Sequence, residues 1–425
     1  MSSNERANKV LFSHPGNPPF AQQAARALYE ADILSAYVTS FAYRPESRLG
    51  RGLAAGLGVI MADPAKELAR RQIREVPDSV IASHPVPELL CILSGRLGVG
   101  PIAGDLLWER AEKWFDKVVA RRHVSGVDAV YGYEHATLDT FRKMKREGGQ
   151  CIYDQPICHH KTLSEILYEE YDKFPEVQTP YDAHIRRLAP RRNARKDGEL
   201  ALSDLVIAAS GFTRDSLVRA GIAGERIKVV PYGSPPVSGE VTREEGGPVI
   251  FLSAGQQSVR KGTHYLLDAW RKLQPGKGAE LWLVGRMTLP PDLVRNLPGR
   301  VVLRSSLPHR DLFEVYRKAS VLVFPSLCEG FGMVITEAMS QGLPVITTPN
   351  TAGPDLIRDY QNGFIVPIRN ADALAEKMAW CMDNPRMLAD MSRVAAQTAA
   401  AWQWSDYRAA LAGTVSSFLS SGCRC

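Results

Sequence analysis

The sequence predicts an α/β protein built from two parallel-sheet domains, and three observations carry that expectation. The chain has 425 residues, about twice the length that one α/β core of roughly 200 residues fills. Apolar runs of strand length alternate with helical patterns along most of it, which is the pattern of βαβ units. Between the two halves lies a stretch, 234–248, with three prolines, three glycines and a Glu-Glu pair but almost nothing apolar, and that composition is a linker. The expected division is therefore 1–233 for the first domain and 249–404 for the second. A last amphipathic stretch, 405–420, lies beyond the final strand and is expected to pack back across the first domain.

In the first domain, strands are expected at 9–13, 33–39, 129–133, 151–154, 205–209 and 227–231, with helices at 20–30, 103–121 and 138–146. Residues 43–101 are rich in Gly, Pro and Arg and lack a clear period, so no element is assigned there. The second domain opens with a strand at 249–254 and a helix at 263–273, followed by strands at 280–284 and 301–304. A helix at 311–318, a strand at 321–324 and a helix at 333–341 come next. Strands at 344–348 and 364–366 complete the second sheet, with Asn362-Gly363 as the turn before the last.

Composition narrows the class. At 45% hydrophobic and 23% charged residues the chain is ordinary for a globular protein, and it has no run of about 18 apolar residues that could span a bilayer. The polar start, 1–8, leads straight into a strand pattern without an apolar signal core, so a cytoplasmic protein is expected, at most peripheral at the inner face of the membrane. Seven cysteines, an odd number with no CxxC pair, are expected to be reduced thiols, and Cys423 and Cys425 read as a frayed tail. The net charge of +6 is unevenly spread, because Arg186, Arg187, Arg191, Arg192, Arg195 and Lys196 crowd one stretch. That stretch reads either as a solvated helix face or as a contact for anionic lipid headgroups. Nucleic acid is not expected as a partner, since no aromatic-interleaved basic platform accompanies the charges.

In open parallel sheets ligands bind beyond the carboxyl ends of the strands. In the second domain those ends carry Gly255 and Arg260-Lys261-Gly262, then Gly285-Arg286, then Leu307-Pro308-His309, then Glu329-Gly330-Phe331-Gly332. The last of these is a glycine turn leading into a helix start, where free N–H groups and the helix dipole favour an anion, a diphosphate above all. Arg260 and Lys261 would supply the positive charge for two phosphates. Glu329 and Glu337 are carboxylates suited to accept from sugar hydroxyls, Glu337 from a ribose and Glu329 from a transferred sugar.

The run from Glu329 to Glu337 resembles the E-x7-E motif of the family 4 retaining glycosyltransferases of the GT-B fold, and the segment from Ser258 to Thr263 resembles their donor-phosphate loop. Similarity extends to 204–210 and 227–233, where Tyr232 stands in place of the family's usual asparagine. The resemblance implies two Rossmann-like domains facing across a cleft, a nucleotide-sugar donor and a glycan or lipid-linked acceptor. Arg260 and Lys261 would bind the diphosphate, and Glu337 the ribose. Glu329 with the backbone of Gly330, Phe331 and Gly332 would hold the donor sugar, and the loop from Leu307 to His309 would face the nucleobase. Such enzymes need no divalent metal, and the sequence has no Asp-x-Asp.

On the first-domain side, His14, Gly16 and Asn17 follow the first strand and would face the acceptor, although Pro15, Pro18 and Pro19 depart from the glycine-rich loop of the family. His135 matches the place where related enzymes set a histidine beside the donor sugar, and Asp154 with Cys158-His159-His160 would line the acceptor side. The last cluster lacks a second ligand pair at zinc spacing, so no metal site is expected. Two other readings remain open: a GT-B sugar-nucleotide epimerase, which would release no nucleoside diphosphate, and a non-catalytic scaffold that binds donor without turnover.

Overall fold

The computed structural model describes residues 8–47, 50–52, 68–237 and 246–422. The first residues of the polar N-terminal stretch, most of the linker at 238–245, and Cys423 and Cys425 lie outside the described residues.

Thirteen described strands form two sheets, and every strand pair is parallel. The first sheet holds β1 (Val10–Ser13), β2 (Leu34–Thr39), β3 (Ile81–Ser83), β4 (Ala129–Tyr133), β5 (Gln150–Gln155), β6 (Leu205–Ala208) and β7 (Ile227–Val229), in the order β3-β2-β1-β4-β5-β6-β7. The second holds β8 (Val249–Ala254), β9 (Ala279–Val284), β10 (Arg300–Arg304), β11 (Val321–Phe324), β12 (Val345–Thr347) and β13 (Gly363–Ile365), ordered β10-β9-β8-β11-β12-β13. The central strands are buried from end to end, as in Val10–Ser13 and Val321–Phe324. Helices on both faces of a parallel sheet demand this, and it explains why these strands read as unbroken apolar runs. Each sheet reverses its order beside one strand pair, β1/β4 in the first and β8/β11 in the second, and that reversal opens a crevice.

The expected strands are present, with ends shifted by one or two residues. The stretch left unassigned contains β3 and a helix at Val86–Arg96. Helices at His160–Lys173, Pro180–Leu202 and Gly211–Arg219 in the first half, and at Gly353–Leu356, Ala371–Asp383 and Pro385–Ala400 in the second, are further elements that the sequence pattern does not predict. Pro180–Leu202 has no apolar stripe to betray it, but its start is marked: Thr179 and Asp182 form a reciprocal capping box, and Pro180 occupies the first turn.

Each half of the chain lends a helix to the other. Trp404–Gly422 lays Tyr407, Leu411, Val415 and Leu419, four buried residues at helical spacing, against the core of the first sheet. In the other direction, His160–Lys173 and the turn after it put Ile166, Leu167, Tyr171, Phe174 and Val177 into the core of the second. Where the chain crosses between halves, its two passes lie side by side. Ser234 N donates to Trp402 O at 2.9 Å, and the Trp402 indole donates to Pro231 O at 3.0 Å.

Candidate active site

The crevice at β8/β11 is built from two loops that hold each other. Beyond β8 the chain reaches Arg260 and Lys261 and turns into the Thr263–Leu273 helix through Gly262, whose φ of 66° is left-handed and whose Cα sits against the carbonyl of Pro325. Beyond β11 the chain runs from Pro325 to Gly332, φ 87°, and enters the Met333–Ser340 helix. Leu327 N donates to Arg260 O at 2.9 Å, and Arg260 Nη1 donates to Cys328 O at 3.1 Å. Two segments nearly seventy residues apart in sequence thus place three charges at one point. Arg260 and Lys261 both bind Glu329 Oε1, Lys261 at 2.6 Å, and the Lys261 ammonium lies 4.6 Å from the centre of the Phe324 ring. Burial alone would raise the Glu329 carboxyl, but Lys261 and Arg260 outweigh it and hold the group below its ordinary value.

Glu337, in the helix that follows, is nearly buried and accepts from Tyr316 Oη at 2.9 Å and His309 Nε2 at 3.1 Å. The hydrogen bond to Glu337 raises the His309 imidazole above its ordinary value. Two cavities flank this centre. One, of about 420 Å³, lies between the halves and is lined by Glu337, His309, Met333, Pro19, Ser234 and Trp404. The other, of about 320 Å³, lies at the ends of β8, β9 and β10 and is lined by Gly255, Gln256, Gly285, Arg286, Ser306 and Leu307. Leu307 and His309, expected on one face, are therefore divided between the two. Tyr316, which fixes Glu337, was missed because a tyrosine inside a helix pattern gives no signal of its own.

Phe331 is buried with its ring 5.3 Å from that of Tyr232, in the core of the first sheet. Its side chain thus joins the two halves, and only its backbone faces the loop. Gly330 makes the same junction. Its carbonyl accepts from Ser210 Oγ and, at 2.9 Å, from Thr213 Oγ1, and a Cβ at this position would overlap the carbonyl of Pro156. Gly330→Ala is expected to destabilise the protein by about 1–3 kcal/mol through this overlap. Thermal unfolding checks it, and an unchanged midpoint would show that the halves do not meet here.

The first-domain residues divide. His14 bonds to both Gly16 N (2.9 Å) and Gly16 O (2.8 Å) through Nδ1, and burial pushes its imidazole down to about 4. Asn17 is committed to the loop itself, donating to Phe41 O at 2.8 Å and accepting from Thr39 Oγ1 at 2.8 Å. His135 has a left-handed φ of 72°, held by Glu199, which accepts from His135 N at 2.6 Å and Thr137 N at 3.1 Å. Its Nδ1 meets Glu112 at 2.8 Å, while Nε2 is buried without a hydrogen-bond partner among the described residues.

Asp154 requires a correction: it does not line an acceptor pocket. It is 1% exposed, accepts from Tyr131 Oη at 2.5 Å, and sits in the first-sheet core, where burial pushes it up to about 7. A group raised in the fold contributes stability that is complete below its unfolded value and is lost as pH rises through its folded value. A displacement from 3.8 to about 7 is worth on the order of 4 kcal/mol. Asp154→Asn, which mimics the protonated form, is expected to flatten the decline in stability between pH 4 and 8. Urea denaturation across that range checks it, and a variant with the full wild-type slope would refute the assignment.

The cysteine expectation is also corrected, since Cys158 and Cys328 form a disulfide. Both follow strand ends, β5 and β11, and the facing of the two sheets brings them together; an odd count leaves room for one pair. The basic stretch divides: Arg192, Arg195 and Lys196 are largely covered in their ion pairs, whereas Arg186 and Arg191 pair at the surface, 46% and 60% exposed. Arg192 pairs with Asp105 and Glu109, Arg191 with Glu109, Arg195 with Asp116, Lys196 with Glu134 and Arg186 with Asp172. His159 and His160 gain a partner that sequence spacing did not reveal. Asp197, from the Pro180–Leu202 helix, lies 2.6 Å from His160 Nε2 and 3.7 Å from His159 Nε2, so three potential metal ligands converge.

Comparison with known proteins places this geometry. Residues 248–384 match the family described as glycosyl transferases group 1. D-inositol 3-phosphate glycosyltransferase of Xylanimonas cellulosilytica is 31% identical over 390 residues, covering 79% of this chain and 86% of that protein. MMP alpha-(1->4)-mannosyltransferase of Mycolicibacterium hassiacum is 27% identical over 216 residues, 48% of this chain and 51% of that one. Among solved structures, Anabaena Alr3699/HepE in complex with UDP-glucose shares the fold, with a TM-score of 0.59 at 17% identity over 96% of this chain and 99% of its own. A parallel-sheet pair with this crevice, joined to a relative matched along most of its length, settles the family: the chain belongs to the group 1 glycosyltransferases.

Proposed function

We propose that the protein transfers a sugar from a nucleotide-diphosphate sugar to a hydroxyl of a glycan, lipid-linked or small-molecule acceptor, with retention of anomeric configuration and without a divalent metal. One observation carries the reading: Arg260 and Lys261 converge on Glu329 at the mouth of the Met333–Ser340 helix. A diphosphate offers the two cations and the helix N-terminus more negative charge than one carboxylate does. Its arrival would exchange Glu329 for phosphate oxygens and release Glu329 to the hydroxyls of the donor sugar. The cavity at Gly255, Arg286 and Leu307 has room for a nucleobase, and the Glu337 carboxylate would accept from the ribose hydroxyls. A structural neighbour solved with UDP-glucose supports a nucleotide sugar as the donor class.

In the transfer, the bond from the anomeric carbon to the phosphate oxygen breaks as the bond to the acceptor oxygen forms on the same face. The departing diphosphate takes the acceptor's proton. Arg260, Lys261 and the helix start stabilise the charge that develops on that phosphate, which is the task a metal ion performs elsewhere. The first test is thermal stabilisation by a panel of nucleotide sugars, since bound ligand raises apparent stability with RT ln(1 + [L]/Kd). The second, with acceptor and a chelator present, is release of nucleoside diphosphate and the anomeric configuration of the product by NMR. A flat response to every donor sinks the donor reading, an inverted product sinks retention, and inactivation by the chelator sinks metal independence.

A further inference from the structure

His135 is held at every polar atom but one. Glu199 accepts from its backbone N–H at 2.6 Å, Arg195 Nε donates to its carbonyl at 2.8 Å, and Glu112 meets ring Nδ1 at 2.8 Å. Glu112 comes from the Pro101–Arg122 helix and the other two from Pro180–Leu202. Together they keep His135 at a φ of 72°, a backbone state that residues with a side chain adopt mainly where their surroundings impose it. The exception is Nε2, which is buried without a hydrogen-bond partner among the described residues. The residue stands just past the carboxyl end of β4, which pairs with β1 where the strand order of the first sheet reverses. Open parallel sheets meet their ligands at such a reversal.

Glu112 differs from its neighbours on the same helix face. Asp105, Glu109 and Asp116 recur with it at steps of three and four, and each of those three is paired with an arginine, Arg192 for the first two and Arg195 for the third. Glu112 is 5% exposed, and burial raises its carboxyl above the ordinary value, yet it bonds to the His135 ring. We propose that Glu112 is a positioning residue: it accepts from His135 Nδ1–H, which keeps the proton off Nε2 and leaves that lone pair to accept from a substrate hydroxyl. The hydroxyl rests on the transferase reading above; the proton's place does not. A neutral imidazole carries one proton, and the bond made by one nitrogen decides what the other can do. The opposite tautomer, or an imidazolium, would bury an N–H at Nε2 with nothing to receive it. A phosphate, which accepts and does not donate, would meet the lone pair as a second acceptor, whereas a sugar hydroxyl donates to it. Arg195 and Glu199 fix the backbone and Glu112 the ring, so Nε2 points one way before any ligand arrives.

The test is a long-range proton–nitrogen correlation spectrum of the full chain, labelled at its nine histidines, with His135→Gln identifying the signal. At neutral pH the wild type is expected in the Nδ1–H form. Glu112→Leu, which offers no acceptor, is expected to move the proton to Nε2, and Glu112→Gln, whose amide oxygen accepts, to keep it on Nδ1. With whichever of UDP-glucose, GDP-mannose and ADP-glucose stabilises the wild type, kcat/KM is expected to fall at least roughly tenfold in Glu112→Leu, the worth of about one hydrogen bond, and to stay within roughly threefold of wild type in Glu112→Gln. Stabilisation by the corresponding nucleoside diphosphate is expected to be unchanged, because the cations that grip it belong to the second domain. Where the hydroxyl is the donor's, stabilisation by the nucleotide sugar falls too; where it is the acceptor's, only the acceptor KM rises. The proposal is overturned if wild-type His135 carries its proton on Nε2 or on both nitrogens, if Glu112→Leu leaves the tautomer unchanged, or if the folded variant keeps the wild-type kcat/KM. The wild-type spectrum decides the tautomer even where Glu112→Leu does not fold, and Glu112→Asp, one methylene short of Nδ1, then carries the kinetic arm. If no nucleotide sugar stabilises the wild type, the transferase reading and the hydroxyl fall together, while the spectrum still decides what Glu112 does to His135.

Discussion

Lys261→Ala and Glu329→Ala are each expected to lower turnover by roughly 10²–10³-fold, the usual cost of removing one preorganised group that meets charge as it develops. The two substitutions fail for different reasons. Without Lys261 the leaving phosphate loses a cation that is 17% exposed and fixed 2.6 Å from Glu329. Without Glu329 the donor sugar loses its acceptor for hydroxyls, and Arg260 and Lys261 are left facing each other with no counter-charge. Lys261→Ala should therefore act mainly on kcat, whereas Glu329→Ala should also lower stability, which a melting curve separates from the chemistry. Two folded variants that both turn over at the wild-type rate would remove the charge cluster from the mechanism.

Glu170→Ala is expected to cost about 3–5 kcal/mol of stability, the range found when one member of a buried ion pair is deleted. Glu170 has no solvent exposure and accepts from His264 at 2.9 Å, Tyr265 Oη at 3.3 Å and Arg369 Nε. Its helix, His160–Lys173, belongs to the first half of the chain and its three partners to the second. Burial alone would raise this carboxyl, but the His264 and Arg369 bonds outweigh it and hold it below 4.5. A depressed carboxyl contributes stability that is present above its unfolded value and lost as pH falls through its folded value. Removal should abolish that acid-side dependence as well as lower the midpoint. Urea denaturation at pH 7 and pH 4 measures both, and a loss below about 1 kcal/mol, the value of an exposed pair, would mean that the junction is held by its apolar contacts alone.

Much of the second domain is legible because its strands are uninterrupted apolar runs bounded by Gly, Pro or a charge, as in Val321–Phe324 before Pro325. The convergence of Arg260, Lys261 and Glu329 is legible too, once each residue is assigned to a strand end. What could not be read depends on distant segments meeting. The neighbours that bury Asp154 come from separate parts of the chain, among them Tyr131, Tyr232 and Tyr407, so a polar residue after a strand looked open to ligand. Asp197 reaches His160 from a helix whose many arginines mask it as surface. β3 is only Ile81–Ser83, too short for an alternation to register.

The Cys158–Cys328 bond fastens the two halves at a place other than the one where the backbone passes between them, beside Ser234 and Trp402. The halves also meet non-covalently, at Gly330 with Thr213 and at Glu170 with His264 and Arg369. Apart from the backbone, the disulfide alone among these links is covalent, so in the oxidised protein the two strand-end loops stay tethered beside the crevice even where the weaker contacts open, and reduction of the sulfurs removes that tether.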